Sequence, residues 1–197
     1  LVGVHVEFLQ LLGHVQRGAM PTAEDRLRQE GIDALLDDPR LPAALVEARQ
    51  GAHASLQLFT YVMVREALCR VDEQDRGMSD YVASILLHFT QRDRAHRVAE
   101  SDDEVYDTLA GLLADVDRGD ATRTFLVRAH VGNYALWVGG LFPDRIERRR
   151  WRRGGPDLRY FDEMGQRGFM LAAQHRLARQ YGLVELFEGA SQRFPRL

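Results

Sequence analysis

"TFLVRAHVGNYALWVGGLF", Thr124 to Phe142, is the stretch that decides the fold. Its length approaches a membrane span, for which a helix of about 20 apolar residues suffices. Arg128, His130 and Asn133 argue against spanning. A single arginine at the centre of such a helix costs roughly 2.5–3.5 kcal/mol on insertion scales. The stretch therefore reads as a helix buried in the protein's own core.

Working outward, Asp120 stands where an N-cap belongs, and Pro143 ends the helix. Asp144 is expected to cap the next helix, and Asp157, after "GGP", the one beyond it. That helix, "LRYFDEMGQRGFMLAAQHRLARQY", is expected to run unbroken over residues 158–181, with Gly182 at its C′ position. "LVELFEGASQRF" makes a final short helix.

Upstream, helical spacing dominates as well. Val4, Phe8, Leu11, Leu12 and Val15 share a stripe that stops at Gly18, and Thr22 is a candidate N-cap for the helix after it. Pro39 and Pro42 interrupt the pattern before the short helix "PAALVEARQ". "ASLQLFTYVMVREALCR" is apolar on nearly every side and reads as a buried helix. "MSDYVASILLHFTQRDRAHRV" is amphipathic, with Tyr81, Ile85, His88 and Phe89 at helical spacing. "SDDE", Ser101 to Glu104, is a capping box for the following helix. No strand pair, hairpin turn or repeat of fixed period accompanies these signals. The expected architecture is all-α: a bundle-like, orthogonal array of seven to nine helices in one domain over 1–197, its only weak point near 73–79.

The totals bound the function. A net charge of -3 excludes a molecule that is basic over its whole surface, so any nucleic-acid role has to be local. All 26 basic residues are arginine. Because the replacement is global, a GC-rich genome accounts for it better than any one site does. In this texture the chain resembles helical proteins common in bacterial genomes. Its one cysteine, Cys69, forms no internal disulfide, which fits a reducing compartment and leads us to expect the cytoplasm. Within "VMVREALCR" Cys69 reads as a buried, inert thiol. The chain opens on leucine with no signal-like segment, as a piece trimmed from a longer protein would.

Two constellations carry what chemistry there is. The first is "RIERRRWRRGG", residues 145–155, with six arginines around Trp151. On a helix, Arg145, Arg148, Arg149 and Arg152 recur at i, i+3, i+4 and i+7 and share a face, while Arg150 and Arg153 lie beside Ile146. Only Ile146 and Trp151 offer apolar anchorage, so a cationic elbow held out into solvent is expected. Asp157, Asp162 and Glu163 are candidate fold-back partners, each exposed pair worth about 0–1 kcal/mol. Arg145, Arg148, Arg149, Trp151, Arg152 and Arg153 suit an acidic protein partner, since tryptophan and arginine are favoured at binding hot spots. Nucleic-acid phosphates with a stacked base, an anionic membrane surface, and a plain solvated corner are the alternatives.

The second constellation is a polar stripe on the core helix: His130, Asn133, Tyr134 and Trp137 at i, i+3, i+4 and i+7. Buried polar groups need partners. A small-molecule pocket would supply them, and Gly132, Gly139 and Gly140 would let a ligand or another backbone come close. The blander reading is hydrogen bonding to neighbouring helices. A lone histidine on an apolar face is usually a satisfied core residue, and His88 and His175 are read the same way.

Searches for defined chemistry return nothing specific. Glu-x-x-His pairs, HExxH, paired cysteines, phosphate-cradling glycine loops and the GxSxG elbow are all absent from the sequence. The nearest approaches to a metal site are Asp93 with His96, crowded by arginines, and Asp102, Asp103 and Glu104, which helix capping explains. No metal, no cofactor and no catalytic residue is therefore expected, although catalysis assembled from residues distant in sequence escapes a spacing search. The leading expectation is a non-enzymatic interaction module or accessory subunit docking through the arginine run. A ligand-binding or enzymatic domain built on the polar stripe comes second, and weak nucleic-acid binding through 145–153 third. Self-association stays open.

Overall fold

A computed structural model describes residues 28–29, 31–33, 36–47, 54–71, 74–91, 94–99, 105–106, 108–115 and 120–197. These are all-α, without a strand. The expected helix at 4–18, the Thr22 cap and the capping box at 101–104 lie outside the described residues. The helices are α1 (Leu41–Glu47), α2 (Leu56–Arg70), α3 (Arg76–Thr90), α4 (Leu109–Asp115), α5 (Ala121–Leu141), α6 (Pro143–Arg153), α7 (Leu158–Ala173), α8 (Arg176–Gln180) and α9 (Val184–Arg193). Short 3-10 turns occupy Arg94–His96 and Phe194–Arg196. Residues 28–29 and 31–33 are helical as well, so the described residues hold ten helices, slightly more than the seven to nine expected.

Part of the excess comes from residues 158–181, which are not one rod. His175 leaves the helical region (φ -74, ψ 146), and its Nδ1 accepts the Leu177 amide at 3.3 Å, capping α8. This histidine is a cap, stacked on Phe125 at 5.5 Å, rather than a group in the middle of a helix. The Gly182 stop is where the sequence placed it. The Leu183 amide donates to the Ala178 carbonyl at 2.8 Å and the Gly182 amide to Arg179 at 3.3 Å, with Gly182 at φ +67. That is the Schellman arrangement, which needs a left-handed residue at C′.

The chain divides into two compact units, residues 1–87 and 88–197. In the first, α1 packs on α2, and Leu41, Leu58, Val62 and Met78 are sealed from solvent. Ser55 caps α2 by accepting the Leu58 amide at 3.2 Å. α2 is only partly covered, where a buried helix was expected; Leu56 and Phe59 are exposed. Cys69 is exposed too, which corrects the reading of a buried thiol. It follows the buried Leu68 by one residue, about 100° further round the helix.

In the second unit α5 is the core helix, with Val127, Val131 and Ala135 fully buried. Among the described residues no helix is long and apolar enough to cross a membrane. Asp120 caps α5 by accepting the Arg123 amide at 2.8 Å, and Asp157 caps α7 by accepting that of Tyr160 at 3.0 Å. Asp144 does not cap α6. Phe142 holds that position, and Pro143 follows at the first helical residue, where its fixed φ suits the start. α7 lies between α5 and α9. It approaches α5 closely because Gly132 leaves room for the ring of Phe169, which in turn stacks on Phe187 at 5.8 Å.

Candidate functional site

The corner between α5 and α7 is set by three local features. Phe142 alone joins α5 to α6, so the chain turns sharply onto Pro143. Ile146, 4% exposed, is the one buried residue of α6 and fixes the roll of that helix. Gly154, at φ +66, ends α6 in the left-handed conformation that a C-cap favours and releases the chain toward Asp157.

These turns enclose a cavity of about 620 Å³. Its walls are Tyr134, Trp137 and Val138 of α5, Phe142, Arg145, Ile146 and Arg149 on the α6 side, and Tyr160 and Phe161 of α7; His96 and residues 108–110 complete it. The aromatic rings brace one another. Trp137 meets Phe142 edge-on at 5.2 Å, Tyr134 lies 6.0 Å from both Trp137 and His96, and Tyr160 meets Phe161 edge-on at 5.7 Å. His96 is held by a hydrogen bond from its Nδ1 to the Tyr106 carbonyl at 3.1 Å. The α4 wall is tied to α5 by Arg123, which pairs with the nearly buried Asp115 at 2.7 Å and also donates to the Tyr106 hydroxyl at 3.2 Å.

The polar stripe of α5 is split by this arrangement. Tyr134 and Trp137 line the cavity, whereas His130 and Asn133 do not. His130 is 5% exposed, and its Nε2 donates to the Ala95 carbonyl at 3.0 Å, with Phe89 at 5.4 Å across its ring. Burial pushes its pKa down to about 4, helped by the charges of His88, His96 and Arg123 and opposed by the Ala95 carbonyl. It is a satisfied core histidine, and a pocket running along all four residues is not what forms. His88, read as another core histidine, is exposed. Of the three glycines, Gly132 meets the Phe169 ring, while Gly140 has open space beside it.

The arginine run is split as well. The roll fixed by Ile146 turns Arg145 and Arg149 to the cavity rim. Arg148, Trp151, Arg152 and Arg153 stay exposed, Trp151 at 85%. Arg150 lies 3.9 Å from both Glu147 and Asp157. Of the other fold-back candidates, Glu163 pairs with Arg159 at 2.8 Å and so is taken within its own helix. Asp162 has no ion pair with the run among the described residues, and its carboxyl is shifted upward by burial.

The sequence reading missed the meeting of the two constellations: Arg145 and Arg149 share one wall with Tyr134 and Trp137. The "FPD" turn was visible, but the direction of the returning helix was not. It also missed a second cluster, in residues 28–87. There Arg65, 7% exposed, reaches Asp33 at 2.8 Å, Asp37 at 3.1 Å and Asp80 at 2.8 Å. Among the described residues no group of three or more His, Cys, Asp or Glu side chains is arranged to hold a metal ion. Asp93 and Asp102 to Glu104 lie outside the described residues. No family model, no curated protein and no solved structure matches the chain.

Proposed function

We propose that residues 88–197 form a non-enzymatic helical unit that binds a small organic molecule in the cavity between α5, α6 and α7. The observation that supports this is the cavity itself: about 620 Å³, walled by five aromatic side chains braced in two groups, Tyr134 with Trp137 and Phe142, and Tyr160 with Phe161. Ligand sites commonly occupy 300–1,000 Å³ and carry mostly apolar and aromatic linings with a few polar groups at fixed places. Trp137 is one of only two tryptophans, so Trp151→Phe leaves it as the sole reporter. Aromatic compounds should shift or quench Trp137 emission in that variant. Ala110→Phe, which fills the wall from an exposed position without adding a second tryptophan, should remove the response. A Trp137 signal indifferent to every aromatic compound tried rejects the proposal.

A second reading keeps the docking role for the outer face of α6. Its support is the near-complete exposure of Trp151 beside Arg148 and Arg152, which form no ion pair among the described residues. An acidic protein partner fits that surface. Arg148→Glu with Trp151→Ala and Arg152→Glu should then remove a specific partner from affinity captures without altering the helical circular dichroism. An unchanged set of partners rejects it, and capture of nucleic acid with steep salt dependence would replace it. The cytoplasm is the compartment we propose, on the strength of the single thiol.

A further inference from the structure

We infer that the cavity's ligand is a flat aromatic molecule carrying one oxyanion head, with the head clamped between Arg145 and Arg149. This rests on the cavity being a binding site and adds the chemistry of its occupant. The two arginines stand one helical turn apart on the same wall, a spacing of about 6 Å between Cβ atoms. The stem of Arg149 is laid along the backbone at Gly155, where a Cβ would fall 3.5 Å from its Cγ. Neither guanidinium forms a hydrogen bond or ion pair among the described residues, and no carboxylate lines the cavity. Of the nearby acids, Glu147 and Asp157 lie 3.9 Å from Arg150 instead, and Asp144, next to Arg145 in the first turn of α6, does not line the cavity. The site is thus positive at its rim and aromatic within.

That pattern selects a ligand in two parts. A planar fork of N–H donors matches a carboxylate or phosphate with two parallel hydrogen bonds, and charge assistance makes such bonds roughly twice as strong as neutral ones. The braced rings of Tyr134, Trp137, Tyr160 and Phe161 offer faces and edges to a flat body. A cation would meet two positive charges with nothing to offset them. A neutral molecule of the same shape would gain the rings and forgo the clamp.

The test is a matched series titrated against the full chain carrying Trp151→Phe: 2-naphthoate, 2-naphthyl phosphate, 2-naphthalenemethanol and 2-naphthylmethylammonium. The expected order is anion over alcohol by about ten-fold, with the ammonium weakest. The tighter of the two anions identifies the head as carboxylate or phosphate. Arg145→Gln with Arg149→Gln should bring naphthoate down to the alcohol's affinity and leave the alcohol unchanged. Both side chains are exposed, so the variant should melt as the parent does. Equal affinity for naphthoate and alcohol in the parent overturns the clamp while the cavity stands as a binding site. No binding by any member of the series overturns the cavity reading beneath it.

Discussion

Gly168 on α7 and Gly132 on α5 meet backbone to backbone: a Cβ on Gly168 would lie 2.8 Å from the Gly132 amide nitrogen and 2.9 Å from the Arg128 carbonyl oxygen. Neither of those atoms is the free end of a side chain, so the two helices would have to separate. Gly168→Ala should therefore cost about 1–3 kcal/mol, the usual penalty of overpacking. Gly140→Ala is the control. That glycine is helical and exposed with nothing within 4 Å, and alanine there should stabilise by roughly 0.5–1 kcal/mol. Urea midpoints moving in opposite directions at a common slope would bear out both; a neutral Gly168→Ala would contradict the close crossing.

The same pair shows what was legible in the sequence. α5 and its Asp120 cap, α7's Asp157 cap and the Gly182 stop were all readable, because each is decided within one helical turn by spacing or a local hydrogen bond. The break at 174–175 was not, because leucine and alanine run on at helical spacing through 171–178 and only the backbone of His175 interrupts them. The site failed at the same boundary between local and tertiary. His130 and Tyr134 look alike on a helical wheel. One was taken by the Ala95 carbonyl and the other left facing the cavity, and residue 95 is 35 positions from His130. The arginines follow helical spacing, but the burial of Ile146 decides which of them turn inward.

Within α6, two positions on different faces should behave in opposite ways. Trp151, 85% exposed, has almost nothing to lose, and Trp151→Ala should change stability by no more than about 0.5 kcal/mol. Ile146, 4% exposed, is the helix's apolar anchor, and Ile146→Ala should cost about 2–4 kcal/mol and loosen the cavity wall. Thermal melts of the two variants separate the cases. A large loss at Trp151 would mean that this side chain is covered.

Arg65 holds three carboxylates that belong to separate parts of residues 28–87. Burial opposes its charge, but the hydrogen bonds it donates to Asp80 and Asp33, with the charges of Asp80 and Asp37, outweigh that and leave its pKa raised. Arg65→Met removes the shared cation and leaves Asp33 and Asp80 uncompensated beside Asp37, which keeps its pairing with Arg76. Breaking a buried pair costs about 3–5 kcal/mol, and partial exposure of the aspartates lowers the figure here to about 2 kcal/mol. Much of the loss should return on replacing the aspartates with asparagine in the Arg65→Met background. If the asparagines restore nothing, repulsion is not the source of the loss.

His130 makes the second unit sensitive to acid. Its folded pKa is about 4 against an ordinary value of 6.5, so it stays neutral in the fold while the unfolded chain takes up a proton in that interval. The unfolded state binds more protons there, so stability rises with pH across the window. The contribution is complete above pH 6.5, is lost as the pH falls from 6.5 toward 4, and changes no further below it. Its full size is about 3 kcal/mol, taken from the shift at 1.36 kcal/mol per pH unit. Asp162, raised by burial, works in the opposite sense, so the overall acid profile is a sum. His130→Gln isolates the one group: the glutamine amide can still donate to the Ala95 carbonyl but does not titrate. Unfolding free energies at pH 7 and pH 4.5 should differ by clearly less in the variant than in the parent, whereas matching slopes would place the acid sensitivity in other residues.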